Sequence, residues 1–118
     1  MRFGMVTLQV RDMEASLLFY KDTLGMEVVR RFSPGPGMEI VFLSQGGPQL
    51  ELICRGEAAA PGENFSLGFT VEDLDAEIAR LEAAGAQCGP VLQPNPHTRL
   101  SFCNDPDGNA VELIEEKA

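Results

Sequence analysis

The chain repeats itself at a spacing of 61 residues, and this repeat limits its possible folds more than any other feature. Gly47-Pro48-Gln49-Leu50-Glu51-Leu52-Ile53 and Gly108-Asn109-Ala110-Val111-Glu112-Leu113-Ile114 each place a turn before an alternating strand, and Glu51 falls on Glu112. Val10, Asp12, Met13, Glu14, Ala15 and Leu17 fall likewise on Val71, Asp73, Leu74, Asp75, Ala76 and Ile78. A repeat of this kind reads as two copies of one supersecondary unit. At 118 residues the chain has the length of one ordinary domain. Each half alone would have little core, so the copies must bury surface against each other or against a second chain.

The local pattern gives the content of each copy. Val6, Leu8 and Val10 alternate with Met5, Thr7 and Gln9, which predicts a strand. Asp12 is a good N-cap for a helix from Met13 to about Leu24, with Met13, Leu17, Tyr20 and Leu24 at helical spacing and Gly25 at its end. A strand from Met26 to Phe32 is expected to run into a loop, Ser33-Pro34-Gly35-Pro36-Gly37. Strands Met38 to Leu43 and Gln49 to Cys54 then form a hairpin. The second copy reads as strand Ser66 to Val71, Asp73 capping a helix from Leu74 to about Ala84, and Gly85 ending it. A Pro-limited strand around Gln87 to Leu92, a loop Gln93-Pro94-Asn95-Pro96-His97, and strands Arg99 to Cys103 and Ala110 to Ile114 complete it. The expected organisation is a first βαβββ module at 1–54, a linker at 55–64 and a second module at 65–118. The fold class is α+β.

Alternation also sorts the side chains by face. A helix covering one side of a sheet calls for the apolar rows Val6, Leu8, Val10 and Leu67, Phe69, Val71. The opposite face then carries Met5, Thr7, Gln49 and Glu51 in the first copy, and Ser66, Thr70, Ala110 and Glu112 in the second. Sheets curving around one concavity would bring Glu51 and Glu112 together in a half-apolar pocket for a small molecule. A solvated sheet face is the alternative, but Ile53, Ala110 and Ile114 share this side and would be wasted on water. Two carboxylates desolvated close together favour a shared proton or a cation between them, and hence an amine-bearing ligand. Phe32, Phe42 or Phe102 would offer that ligand a ring face.

Charge and composition exclude other partners. Eighteen acids oppose nine bases for a formal charge of −9, which lacks the electrostatic footprint for nucleic acid and would be repelled by anionic membranes. No apolar run is long enough to span a bilayer, and Met1-Arg2-Phe3 enters a strand pattern without a signal-type apolar segment. Cys54, Cys88 and Cys103 are odd in number and have no metal-type spacing, so they read as reduced packing residues of a cytoplasmic protein. The single histidine, His97, lies in a Pro-flanked loop and reads as a surface residue.

The stretch from Val6 to Met26 and the closing Asp105-Pro106-Asp107-Gly108-Asn109-Ala110-Val111-Glu112-Leu113 resemble the vicinal oxygen chelate superfamily. Its members include glyoxalase I (lactoylglutathione lyase), extradiol dioxygenases and bleomycin-binding resistance proteins. The resemblance implies two βαβββ modules forming a cupped, barrel-like mixed sheet with helices on its outer face, usually within a homodimer. It also implies, in metal-dependent members, a divalent ion held by one residue from the first strand and one from the last strand of each module. Carried over, those positions are Met5, Glu51, Ser66 and Glu112. The glyoxalase I pattern places imidazole or amide ligands at the two first-strand positions, where this chain has Met and Ser. Zn²⁺ and Ni²⁺ sites use nitrogen or thiolate donors, and Mg²⁺ and Ca²⁺ require several oxygens, so what remains is at best a weak oxygen site. Two functions are therefore expected. One is a small-molecule-binding protein with weak metal or none. The other is a metal-dependent lactoylglutathione lyase or related isomerase, with Glu112 or Glu51 moving the proton.

Overall fold

The computed structural model describes residues 1–57 and 60–117; Ala58 and Ala59 of the expected linker and Ala118 of the expected second module lie outside them. The chain divides into two compact units, Met1–Ala60 and Pro61–Ala118. The first contains β1 (Met5–Val10), α1 (Met13–Leu17), a π-helical continuation (Leu18–Thr23), β2 (Glu27–Gly35), β3 (Met38–Ser44) and β4 (Gln49–Cys54). The second contains β5 (Ser66–Thr70), α2 (Leu74–Ala83), β6 (Leu92–Asn95), β7 (Thr98–Asn104) and β8 (Ala110–Glu116). These are two tandem βαβββ modules.

Each unit forms its own four-stranded mixed sheet, in the orders β1-β4-β3-β2 and β5-β8-β7-β6. The described strands thus build two separate sheets, not one closed barrel. In both, the first strand lies parallel beside the last, and the remaining pairs are antiparallel. A parallel pair needs a crossover, which here includes the helix and two further strands.

The helix lies on one face of each sheet, and there the core forms. Leu8, Val10, Val41, Leu43, Leu50 and Leu52 are buried in the first unit beneath Met13, Leu17 and Tyr20. Phe19 meets the Tyr20 ring edge-on, with centroids 5.0 Å apart. In the second unit Leu74 and Leu81 of α2 cover Cys103, Val111 and Leu113. Each such buried aliphatic side chain contributes roughly 1.5–3 kcal/mol of transfer free energy. Both helices start as the sequence indicates: Asp12 accepts from the Ala15 amide and Asp73 from the Ala76 amide, each at 3.1 Å. α2 has a second cap, because the buried Glu115 carboxylate accepts from the Leu74 amide at 2.8 Å.

The first helix departs from expectation. From cap to terminal glycine it spans 14 residues (Asp12 to Gly25), against 13 in the second copy (Asp73 to Gly85). The extra residue is taken up as the π-helical segment, in which the Leu24 amide donates to the Phe19 carbonyl at 2.8 Å, five residues back. A π-turn rotates the side chains beyond it about the helix axis. Phe19 is buried beside Tyr20, Leu18 is 62% exposed, and Leu24 beyond the turn is only half-buried.

Both Pro-rich stretches also correct the sequence reading. β2 continues through Pro34 to Gly35, and only Pro36-Gly37 turn. β6 lies at Leu92–Asn95, starting at the last residue of the expected strand (Gln87 to Leu92) and running on into the expected loop. Both are edge strands, where a proline that lacks its N–H forfeits no ladder bond. The two stretches are themselves equivalent, Pro34 and Pro36 matching Pro94 and Pro96 at a spacing of 60. The spacing returns to 61 in the final turn, because five residues separate Asn104 from Ala110 where four separate Ser44 from Gln49.

Candidate functional site

The face of each sheet turned away from its helix holds the candidate residues. In the first unit the pairings Thr7↔Glu51, Phe42↔Glu51 and Arg30↔Phe42 line up one row across all four strands. Directly paired residues share a face. Thr7 Oγ1 donates to Glu51 Oε1 at 2.7 Å, which fixes the carboxylate on this side. Ile53 is half-buried on the same face.

The second unit repeats the row with different chemistry. Gly68 pairs with Glu112, and Phe102 lies beyond it on β7. Where Thr7 supplies a hydroxyl, Gly68 supplies nothing, and among the described residues Glu112 has no side-chain hydrogen bond. A Cβ at Gly68 would sit 3.9 Å from Glu112 Oε1 and 3.7 Å from Ile114 Cδ1, so the missing side chain leaves ordinary room beside the carboxylate. Phe102 is 38% exposed on this face.

The turn before β8 holds Glu112 in register. Asp105 is buried, and its Oδ1 accepts from the amides of Asp107 and Asn109 at 2.9 and 2.8 Å. Its Oδ2 accepts from Asn109 Nδ2 at 3.0 Å. Asn109 Oδ1 in turn accepts from the Gly62 amide at 2.8 Å, so residues just before β5 tie to the turn. Gly108 takes φ +87, a conformation that side chains resist. A one-residue slip would send Glu112 to the helix side.

The other four positions singled out by the sequence fall one rung away. Met5 pairs with Gln49 and Ser66 with Ala110, whereas the glutamates face Thr7 and Gly68. One rung is two residues, roughly 6–7 Å along a strand. Met5 is half-exposed and Ser66 exposed. Within either unit, among the described residues, no three His, Cys, Asp or Glu side chains converge. In each unit the candidate donors are thus one carboxylate with a thioether or hydroxyl a rung away, and Glu51 already accepts a hydrogen bond. That set does not fit a nitrogen-ligated divalent ion.

Two residues escaped the sequence reading. Gly68 was detectable, since it lies 61 residues after Thr7 on the same strand face. Arg30 was not singled out either. Its guanidinium lies 4.5 Å from the centroid of the Phe32 ring and 5.7 Å from that of Phe42, so the rings expected to receive a ligand cation already carry one of the protein's own. Its neighbour Arg31 points the other way and is held by Glu14 and Glu39 at 2.8 and 2.7 Å, which keeps its pKa well above the ordinary arginine range.

The remaining candidates lie elsewhere. His97 is exposed in the turn between β6 and β7. Cys54, Cys88 and Cys103 are free thiols. Burial pushes Cys103 up to about 11 and also raises Cys88, which argues against a nucleophilic role. No helix among the described residues is long and apolar enough to cross a membrane.

Comparisons with known proteins agree with this architecture. The lactoylglutathione lyase of Haemophilus influenzae is 29% identical over 125 residues, covering 94% of this chain and 90% of the relative. A glyoxalase family protein from Enterococcus faecalis superposes with a TM-score of 0.83 at 26% identity, over 97% of each chain. The lactoylglutathione lyase of Agrobacterium tumefaciens superposes at 0.74 with 26% identity, over 97% of this chain and 92% of that one. The family model described as Glyoxalase/Bleomycin resistance protein/Dioxygenase superfamily matches residues 2–113. With that match over nearly its whole length, the chain belongs to the Glyoxalase/Bleomycin resistance protein/Dioxygenase superfamily.

Proposed function

We propose that this protein binds a small molecule on the sheet faces bearing Glu51 and Glu112, and does so without a tightly held metal ion. The observation that supports this reading is that Met5 and Ser66 offer no nitrogen donor at the positions the family resemblance assigns to metal ligands, while both glutamates lie in register on the faces turned away from the helices. Carboxylates beside Ile53, Phe42, Ile114 and Phe102 suit a ligand with an apolar body and a protonated amine or other hydrogen-bond donor. Thr7, Gln49 and Ala110 complete the lining in this proposal. The protein is taken to act in the cytoplasm as a homodimer of two-module chains.

A second reading, a lactoylglutathione-lyase-type isomerase, is favoured by one observation: relatives named lactoylglutathione lyases align along nearly the whole chain. It would use Glu51 or Glu112 as the proton-transfer group.

Titration of the ¹⁵N-labelled full chain with 4-phenylbutylamine tests the binding reading. The amide signals of Thr7, Phe42 and Glu51 in the first unit, and that of Glu112 in the second, should each move and saturate. Glu51→Gln and Glu112→Gln should each weaken binding, roughly five-fold, as a charge-assisted hydrogen bond becomes a neutral one. Shifts scattered over the helix sides of the sheets, or none at all, would exclude it.

A further inference from the structure

We propose that Arg30 is the anion anchor of the first unit's open face, so that the ligand carries a carboxylate or phosphate as well as a donor for Glu51. The inference rests on the reading of this face as a small-molecule site and adds the class of ligand.

Of the chain's nine basic residues, Lys21, Arg31, Arg80 and Arg99 each form an ion pair with a carboxylate. Arg31 is bound by two carboxylates, Glu14 and Glu39. Arg30, the adjacent residue on the opposite face, has none within salt-bridge distance among the described residues. It lies instead over two aromatic rings, Phe32 two residues on along β2 and Phe42 directly across on β3. Stacking of this kind holds the guanidinium plane while leaving its N–H fork unused. A fixed, unengaged fork on a half-apolar surface matches the geometry of a carboxylate or phosphate.

The row supplies the second charge. Arg30 and Glu51 stand two strands apart with Phe42 between them, roughly 10 Å from backbone to backbone. This face therefore presents a cation and an anion separated by a ring. An amphoteric ligand with an apolar middle is complementary to it. In the second unit the position matching Arg30 at the local spacing of 60 is Pro90, so that face keeps its carboxylate and has no counterpart to the cation. The duplicated rows have diverged toward the two ends of different ligand chemistry.

Three probes with one body separate the possibilities: 4-phenylbutyrate, its neutral amide and 4-phenylbutylamine, each titrated by NMR into the full chain. The acid should bind at least roughly five-fold more tightly than the amide and move the signals of Arg30, Phe32 and Phe42. Arg30→Gln should bring that ratio close to one, and Arg30→Lys should keep part of it. Arg55→Gln, which removes the same charge from an exposed position outside the sheet, should leave it unchanged. Equal binding of acid and amide, survival of the ratio in Arg30→Gln, or an equal fall in Arg55→Gln would overturn the anion anchor while leaving the small-molecule site standing. Failure of all three probes to bind would overturn the site itself, and the anchor with it.

Discussion

Thr7 and Gly68 make two otherwise equivalent glutamates chemically unequal. Glu51 is held by a 2.7 Å hydrogen bond, and its counterpart Glu112 is left to whatever enters the space beside Gly68. A Cβ at position 68 meets only ordinary contacts, at 3.7 and 3.9 Å, and the backbone there is not in the left-handed region. Gly68→Thr is therefore expected to stabilise the chain by about 1 kcal/mol, through lost unfolded-state freedom and better strand packing. By tying Glu112 as Thr7 ties Glu51, it should also weaken the 4-phenylbutylamine titration. Urea unfolding and the same titration check both halves. At this scale the sequence was readable where alternation and the repeat agreed, as for the faces of Glu51 and Glu112. It was not readable for Arg30, because periodicity assigns Arg30 and Arg31 to opposite faces without saying which one finds carboxylates. That depends on Glu14 of the helix and Glu39 of the neighbouring strand.

Among the elements, the first helix and the two edge strands show what the 61-residue spacing conceals. The spacing is 60 between Gly25 and Gly85, because the first helix carries one residue more and stores it as a π-turn. Asp22 and Glu82 are both exposed near the ends of their helices. Deleting Asp22 should let the first helix close as the second does, leaving the thermal midpoint within a few degrees of the parent. Deleting Glu82 takes a residue from a helix with none to spare and should cost about 2 kcal/mol or more, lowering the midpoint by roughly 8 °C or more. Calorimetry on the two deletions decides the matter, and equal losses would refute the spare-residue account. The edge strands depart from the sequence reading for a related reason. Ser33-Pro34-Gly35-Pro36-Gly37 and Gln93-Pro94-Asn95-Pro96-His97 are strong turn signals taken singly. Their equivalence appears only once the spacing is allowed to slip to 60, and an edge position makes proline harmless.

For the molecule as a whole, the duplicated βαβββ plan, the order of elements and the helix-covered faces were legible from alternation, caps and the repeat. The expected mixed-sheet plan takes the form of one four-stranded sheet per module, because hydrogen-bonded pairing closes within each copy. The central proposal is that the family scaffold is kept without a tightly held metal ion, since Met5 and Ser66 offer no nitrogen donor. Titration calorimetry with Ni²⁺ and Zn²⁺ on protein purified without chelator tests this most directly, with Met5→His/Ser66→His as the comparison and hemithioacetal isomerisation assayed on each. The account predicts no stoichiometric uptake and no isomerisation by the parent, and metal uptake by the double variant. Stoichiometric binding by the parent, abolished in Glu51→Gln or Glu112→Gln, would contradict it.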